Sequence, residues 1–192
     1  MNKNRLEAFS DGVLAIIITI MVLEIKPPHT ADWNGFLDLL PSLFGYLLSF
    51  LMVGIYWNNH HHLLHTAKKV SAGIMWSNLN LLFWLSLVPF ATKWMDETRF
   101  AAFTVSLYAV LLLLCGFSYS ILNYNIYKCI DEDDQLKQVI KLDWKQAFSI
   151  VAYSSAIPVA YWNASVSLAL FAVVAAIWLI PSKKIEHGVK QH

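Results

Sequence analysis

Four histidines fall close together at His60, His61, His62 and His65. Imidazoles suit iron or zinc. A membrane enzyme built on histidines needs several such boxes facing one side, however, and His29, His187 and His192 are isolated. Metal catalysis is therefore not expected, no catalytic residue is assigned, and the cluster reads as an interfacial or helix-clasping group. Asp131–Asp134 lack the glycine and distant glutamate of a calcium-binding loop and read as a solvated loop. Cys115 and Cys129 have no spaced partner for a metal or a disulfide. The most unusual polar group opens the first apolar stretch: Arg5, Glu7, Ser10 and Asp11. Charges so close to a membrane are costly against lipid, so they should face protein or water.

The composition requires the membrane. Hydrophobic residues make up 57% and charged residues 14%, with a mean hydropathy of +0.50; a soluble domain carries about 25% charged residues. The aromatic share of 14% suits interfacial belts, and a net charge of +1 points to no nucleic-acid partner. Runs of about 20 apolar residues predict an all-α, polytopic membrane protein, one domain over residues 1–192, with helices at 6–25, 35–63, 72–95, 99–127, 145–162 and 164–181. Turn chemistry separates them, from Pro27-Pro28 with Asn34-Gly35 to Asn163 and Pro181. Met1–Arg5 is basic enough to mimic a signal peptide. Glu7 and Asp11 sit early in the segment, however, and it ends at Glu24-Ile25-Lys26-Pro27-Pro28 without a small-residue cleavage site, so it is expected to be retained.

Orientation follows from the basic residues. With the N-terminus inside, Lys3, Arg5, Lys68, Lys69, Lys128, Lys137, Lys141, Lys145, Lys183, Lys184 and Lys190 are cytoplasmic, against Lys26, Lys93 and Arg99 outside. The chain is expected in the cell membrane, multi-pass, with both termini cytoplasmic. Trp33, Trp94, Trp144 and Trp162 lie near span ends and read as interfacial anchors.

A helix turning about 100° per residue sorts the first span into two faces. Arg5, Phe9, Gly12, Ile16, Thr19, Ile20 and Leu23 share one; Glu7, Ser10 and Asp11 point the other way. Spacing alone allows ordinary core packing for the first face, and Thr19 could simply return its hydroxyl to a carbonyl one turn back. Ser10 and Asp11 read as a polar clasp between helices, with partners at the end of the second span, Asn58 to His65.

Arg5-x-x-x-Phe9-Ser10-Asp11, followed by Gly12-Val-Leu-Ala-Ile16-Ile-Ile-Thr19, resembles the signature of the endosomal and lysosomal potassium channels, the transmembrane-protein-175 family. Trp57–His65 is similar to that family's second span. Animal members carry two six-helix repeats, so this single-repeat chain resembles the prokaryotic branch. The resemblance implies a homotetramer whose central pore is lined by the first helix of each subunit. No re-entrant filter is implied, and no Thr-Val-Gly-Tyr-Gly run is present. It further implies Ile16 as a hydrophobic constriction, Ile20 and Leu23 lining the pore farther out, and Thr19 as a hydroxyl layer favouring potassium. Arg5, Phe9, Ser10 and Asp11, with His60, His61 and His62, would form the motif and helix-packing network. Pairing of Arg5 with Asp11 would need a neighbouring subunit or a bent helix end. The expected function is a leak-type, potassium-permeable cation channel with modest preference over sodium. It would need no cofactor, and membrane lipid and potassium ions would be its other partners.

An ion-coupled secondary transporter is the alternative. Pro41, Pro89 and Pro158 could break helices at membrane depth, and Asn78, Asn80 and Asn123 could coordinate an ion. Against it, the six spans contain no internal repeat. No span carries the spaced arginines of a voltage sensor, so a constitutive leak is the default.

Overall fold

The computed structural model describes residues 2–67, 69–130 and 144–179. Lys68, the Asp131–Asp134 loop, Lys137, Lys141, Pro181 and the three C-terminal lysines lie outside the described residues, as do His187 and His192. Among the described residues seven helical segments follow in order: α1 Lys3–Leu23, α2 Trp33–Thr66, α3 Ala72–Ser86, α4 Val88–Glu97, α5 Ala102–Tyr127, α6 Trp144–Trp162 and α7 Ala164–Leu179.

Local chemistry explains their starts. Asn2 caps α1, its side chain accepting from the Asn4 N–H, and the Ser71 hydroxyl caps α3 by accepting from Ile74 N–H at 3.2 Å. Asp32 caps α2, accepting from the Gly35 N–H at 2.8 Å and the Thr30 hydroxyl at 2.9 Å. Those bonds, the Gly35 amide first, hold the Asp32 carboxyl below its ordinary range. The entry is tight enough to require glycine: a Cβ on Gly35 would lie 2.4 Å from the Thr30 carbonyl oxygen.

The third predicted span is one stretch built of two helices, broken at Leu87, where Pro89 enters the first turn of α4. Proline has no N–H for the carbonyl one turn back and its ring crowds that carbonyl. Pro41 and Pro158 lie inside unbroken helices, so proline alone does not locate a break. Together α3 and α4 still form one stretch, Ala72–Glu97, that is long and apolar enough to cross a membrane. Lys3–Leu23, Trp33–Thr66 and Ala102–Tyr127 qualify likewise among the described residues, while α7 is apolar but shorter. Helix α6 carries Lys145, Gln146 and Ser149 on its buried side.

Helix α5 is central, packed against α3, α4, α6 and α7, while α1 packs against α2, α3 and α4. Fully buried Tyr108 of α5 meets Phe171 of α7, with ring centroids 5.4 Å apart. Its hydroxyl lies 2.8 Å from Ser49 Oγ of α2, which lies 2.8 Å from Thr92 Oγ1 of α4. These three hydroxyls join three helices deep in the core, where an unpaired polar group would be costly.

Between α4 and α5 the chain reverses through two non-glycine residues with left-handed backbone, Arg99 (φ 50°) and Phe100 (φ 57°). The Phe100 N–H bonds the Met95 carbonyl at 2.8 Å, closing the end of α4. The Phe100 ring packs beside Gly45, where an added Cβ would sit 3.5 Å away. Arg99 is exposed and pays for its conformation with a clash that glycine lacks, about 1–2 kcal/mol. Arg99→Gly should therefore raise stability by about 1 kcal/mol, read as a higher thermal midpoint in detergent; an unchanged or lower midpoint would remove the strain argument.

Candidate functional site

The N-terminal end of α1 is held by a directed chain of hydrogen bonds. His60 Nε2 lies 2.6 Å from Asn78 Oδ1, Asn78 Nδ2 donates to Ser10 Oγ at 2.9 Å, and Ser10 donates to the Leu6 carbonyl at 2.9 Å. An amide oxygen only accepts, so His60 must carry its proton on Nε2. All three side chains are buried. Beside them, the Trp57 indole N–H donates to Asp11 Oδ1 at 3.0 Å. Lys3 Nζ reaches the His65 carbonyl at 2.6 Å and ties the start of α1 to the end of α2.

This geometry refines the expected network. Ser10 and Asp11 both bond α2 or α3, but neither bonds a histidine directly, because Asn78 of α3 stands between Ser10 and His60. His61 and His62 are exposed, turned off the clasp by the 100° step of the helix. Their rings lie 5.8 Å apart, and His65 lies 6.3 Å from His61. Among the described residues no group of three His, Cys, Asp or Glu side chains is placed to hold a metal ion. Arg5 is exposed and forms no salt bridge with Asp11 within the chain. Its Cα lies on the other face of α1, which is the physical reason the pair does not form. Of the other asparagines, Asn80 donates to Ser118 at 2.7 Å, and Asn123 Oδ1 is buried without a partner.

Leu6, Ser10, Leu14, Ile17 and Met21 form the buried face of α1. The opposite face is uncovered by the chain's own helices: Phe9 and Thr19 are exposed, Ile16 is 58% exposed, Ile20 41% and Leu23 80%. Gly12 lies on the same face, and a Cβ there would meet nothing within 4 Å. Thr19 Oγ1 lies 3.0 Å from both the Ala15 and Ile16 carbonyl oxygens. Its proton is thereby committed to the helix, and its oxygen lone pairs remain free to face a cation.

The C-terminal end of α1 is fastened separately. Lys93 of α4 pairs with Glu24, and Lys26 pairs with Glu97 at 2.8 Å. Ser42 of α2 donates to Asp96 at 2.7 Å. Single exposed pairs contribute little, but two crossed pairs on one helix end fix where it lies.

Asn78 is the residue the sequence reading placed elsewhere, as an ion-coordination candidate. Asn78→Ala would strand the His60 N–H in the core, costing about 2 kcal/mol. The expected outcome is a clear drop in thermal midpoint, larger than for Asn80→Ala at a more exposed site. Equal drops would deny the clasp its special role.

Comparisons with known proteins match this arrangement. The family model described as endosomal/lysosomal potassium channel TMEM175 matches residues 5–89, which contain α1, α2, α3 and the clasp. The fold is similar to the crystal structure of a lysosomal potassium-selective channel TMEM175 homolog from Chamaesiphon minutus, with a TM-score of 0.80 at 28% identity, covering 92% of this chain and 96% of that one. The human endosomal/lysosomal proton channel TMEM175 is 35% identical over 96 residues, 43% of this chain and 19% of the human protein. A protein named potassium channel from Chryseobacterium sp. (strain P1-3) is 47% identical over 192 residues, covering 100% of both chains. These relatives are channels, not enzymes. With a relative this similar along its whole length, the chain belongs to the endosomal/lysosomal potassium channel TMEM175 family, as a membrane protein of the all-helical channel fold.

Proposed function

We propose that the chain is one subunit of a homotetrameric, potassium-permeable leak channel in the cell membrane. It would be a single six-helix transmembrane domain with both termini cytoplasmic. The observation that carries this reading is the uncovered face of α1, where Ile16, Thr19, Ile20 and Leu23 stay exposed while the opposite face is buried and bonded. Names of the relatives add potassium as the permeant ion.

In the proposed pore, four α1 helices turn this face to a common axis. Four Ile16 side chains close together exclude water and form a dewetted gate, which a modest widening opens to a partly hydrated cation. Thr19 lies one turn farther along. Four hydroxyl oxygens, their protons held by the Ala15 and Ile16 carbonyls, replace part of the ion's lost water. Such a ring is looser than a cage of carbonyls, so preference for potassium over sodium is modest. Ile20 and Leu23 line the wider outer part. Ser10, Asp11 and His60 set the rotation of α1 through Asn78 and Trp57, while Arg5 and Phe9 remain on the open face for contact with neighbouring copies.

Potassium flux into liposomes holding the purified protein tests this directly. Ile16→Asn should raise flux severalfold over the wild type by wetting the constriction. Flux that is unchanged would remove Ile16 from the gate, and flux that saturates and requires a coupling ion would favour the transporter alternative. Thr19→Val keeps the shape and removes the oxygen. It should lower the potassium-to-sodium permeability ratio toward unity while leaving the assembly size intact; an unaltered ratio would exclude a hydroxyl layer.

A further inference from the structure

Away from α1, packing between α2, α5, α6 and α7 leaves a cavity of about 40 Å³, lined in part by Tyr119, Gln146, Tyr153 and Trp178. It shares Ile55, Asn59 and Trp178 with an outer crevice of about 190 Å³ that reaches Phe50, Gly54 and Leu179. Its inner end holds an unanswered acceptor: Gln146 is 8% exposed, and its buried Oε1 has no hydrogen-bond partner. A buried acceptor left unpaired costs about 1–3 kcal/mol.

Three of the nearby donors are committed elsewhere. Trp178 Nε1 donates to Ser149 Oγ at 2.9 Å, Asn59 Nδ2 donates to the Ile55 carbonyl at 2.7 Å, and the Tyr153 hydroxyl is turned to the Met52 sulfur at 3.7 Å. Among the described residues none donates to Gln146 Oε1, which leaves this acceptor open to a group entering the cavity. The inner cavity has room for a hydroxyl or water. The outer crevice exceeds the roughly 150 Å³ that holds a benzene in an apolar protein cavity, and its walls at Phe50, Leu51, Ile55 and Leu179 are apolar. Gly54 opens onto free space, since a Cβ there would meet nothing within 4 Å. Lys145 Nζ lies 5.8 Å from the Trp178 ring centroid, which disfavours a cationic head. An anionic head would face the Gln146 oxygen.

We propose that this crevice binds a neutral amphiphile bearing a hydroxyl, with the hydroxyl bonded to Gln146 and the apolar part lying along Gly54 and Trp178. A hydroxyl both donates and accepts, so it satisfies an amide turned either way. Two sources share that chemistry: a small alcohol, and a membrane lipid such as diacylglycerol. The site does not depend on which ion crosses the membrane.

Bromine quenching of Trp178 tests the proposal. The signal is the difference between the full-length protein and its Trp178→Phe variant in lipid nanodiscs. The probes are 6-bromohexanol, 1-bromohexane and diacylglycerol with brominated chains. Saturable quenching is expected with 6-bromohexanol, about tenfold tighter than with 1-bromohexane, a difference of roughly 1.4 kcal/mol. Gln146→Leu should abolish that preference, and Gly54→Leu should abolish the saturable quenching by filling the crevice. Saturable quenching by the brominated diacylglycerol as well would identify a lipid as the source; response to the alkanol alone would identify a small alcohol. Non-saturable quenching, equal for alkanol and alkane, would overturn the proposal and leave Gln146 to ordered water only. A changed assembly size in Gly54→Leu would also overturn it, assigning the crevice to a second copy of the chain.

Discussion

The rotation of α1 depends on one buried hydrogen-bond chain, His60 to Asn78 to Ser10. In lipid, apolar helices gain nothing by hiding apolar faces from one another, so packing and polar contacts decide which face turns inward. Helix α1 is apolar almost all round beyond Gly12, and hydropathy alone would let it turn freely. Ser10 removes that freedom. Turning α1 by one residue, about 100°, would move Ser10 away from the Asn78 amide, leave that buried amide N–H without its acceptor and detach Asp11 from Trp57. With this clasp closed, Leu14, Ile17 and Met21 must pack inward, and Ile16, Thr19 and Ile20 must be left on the open side.

A clasp at one end fixes rotation but leaves the far end free to swing. The α3–α4 break supplies the second restraint. By ending α3 at Ser86 and restarting at Val88, the chain carries Lys93 and Glu97 to the C-terminal end of α1, where they pair with Glu24 and Lys26. The left-handed turn at Arg99 and Phe100 then returns the chain into α5, with Phe100 seated against Gly45 of α2. Backbone strain in that turn is tolerated because it completes α4 where the ion pairs need it.

Much of this was legible in sequence because it rests on local chemistry. The all-helical membrane fold followed from length and hydropathy, and the two faces of α1 from the 100° step. A polar clasp at the N-terminal end of α1 followed from the cost of Ser10 and Asp11 against lipid. What could not be read is which distant side chain answers which. Asn78 was a plausible ion ligand until α3 was seen to carry it between Ser10 and His60, a separation of 68 residues to one and 18 to the other. Prolines misled in the same way. All three offer the same missing N–H, yet only Pro89 sits at a break, because neighbouring packing decides whether a helix absorbs the loss. The unpaired Gln146 oxygen was equally invisible, since nothing in its sequence neighbourhood says which helices close around it.

One consequence bears on how a pore of this kind can be tuned. A carbonyl filter fixes its oxygens through the backbone of a dedicated loop. On the proposed assignment, Thr19 instead sits on a plain helix whose position is fixed at its two ends, about one and a half to two and a half turns from the hydroxyl itself. Any shift of Asn78 or Trp57 at one end, or of Lys93 and Glu97 at the other, therefore moves Ile16 and Thr19 together as parts of a single rigid rod. In the proposed pore, a movement of the whole helix would couple gating to ion preference, although single substitutions at Ile16 or Thr19 act on one or the other. A movement that widens the isoleucine ring also withdraws the hydroxyl oxygens from the ion, so the more freely the pore conducts, the less it discriminates.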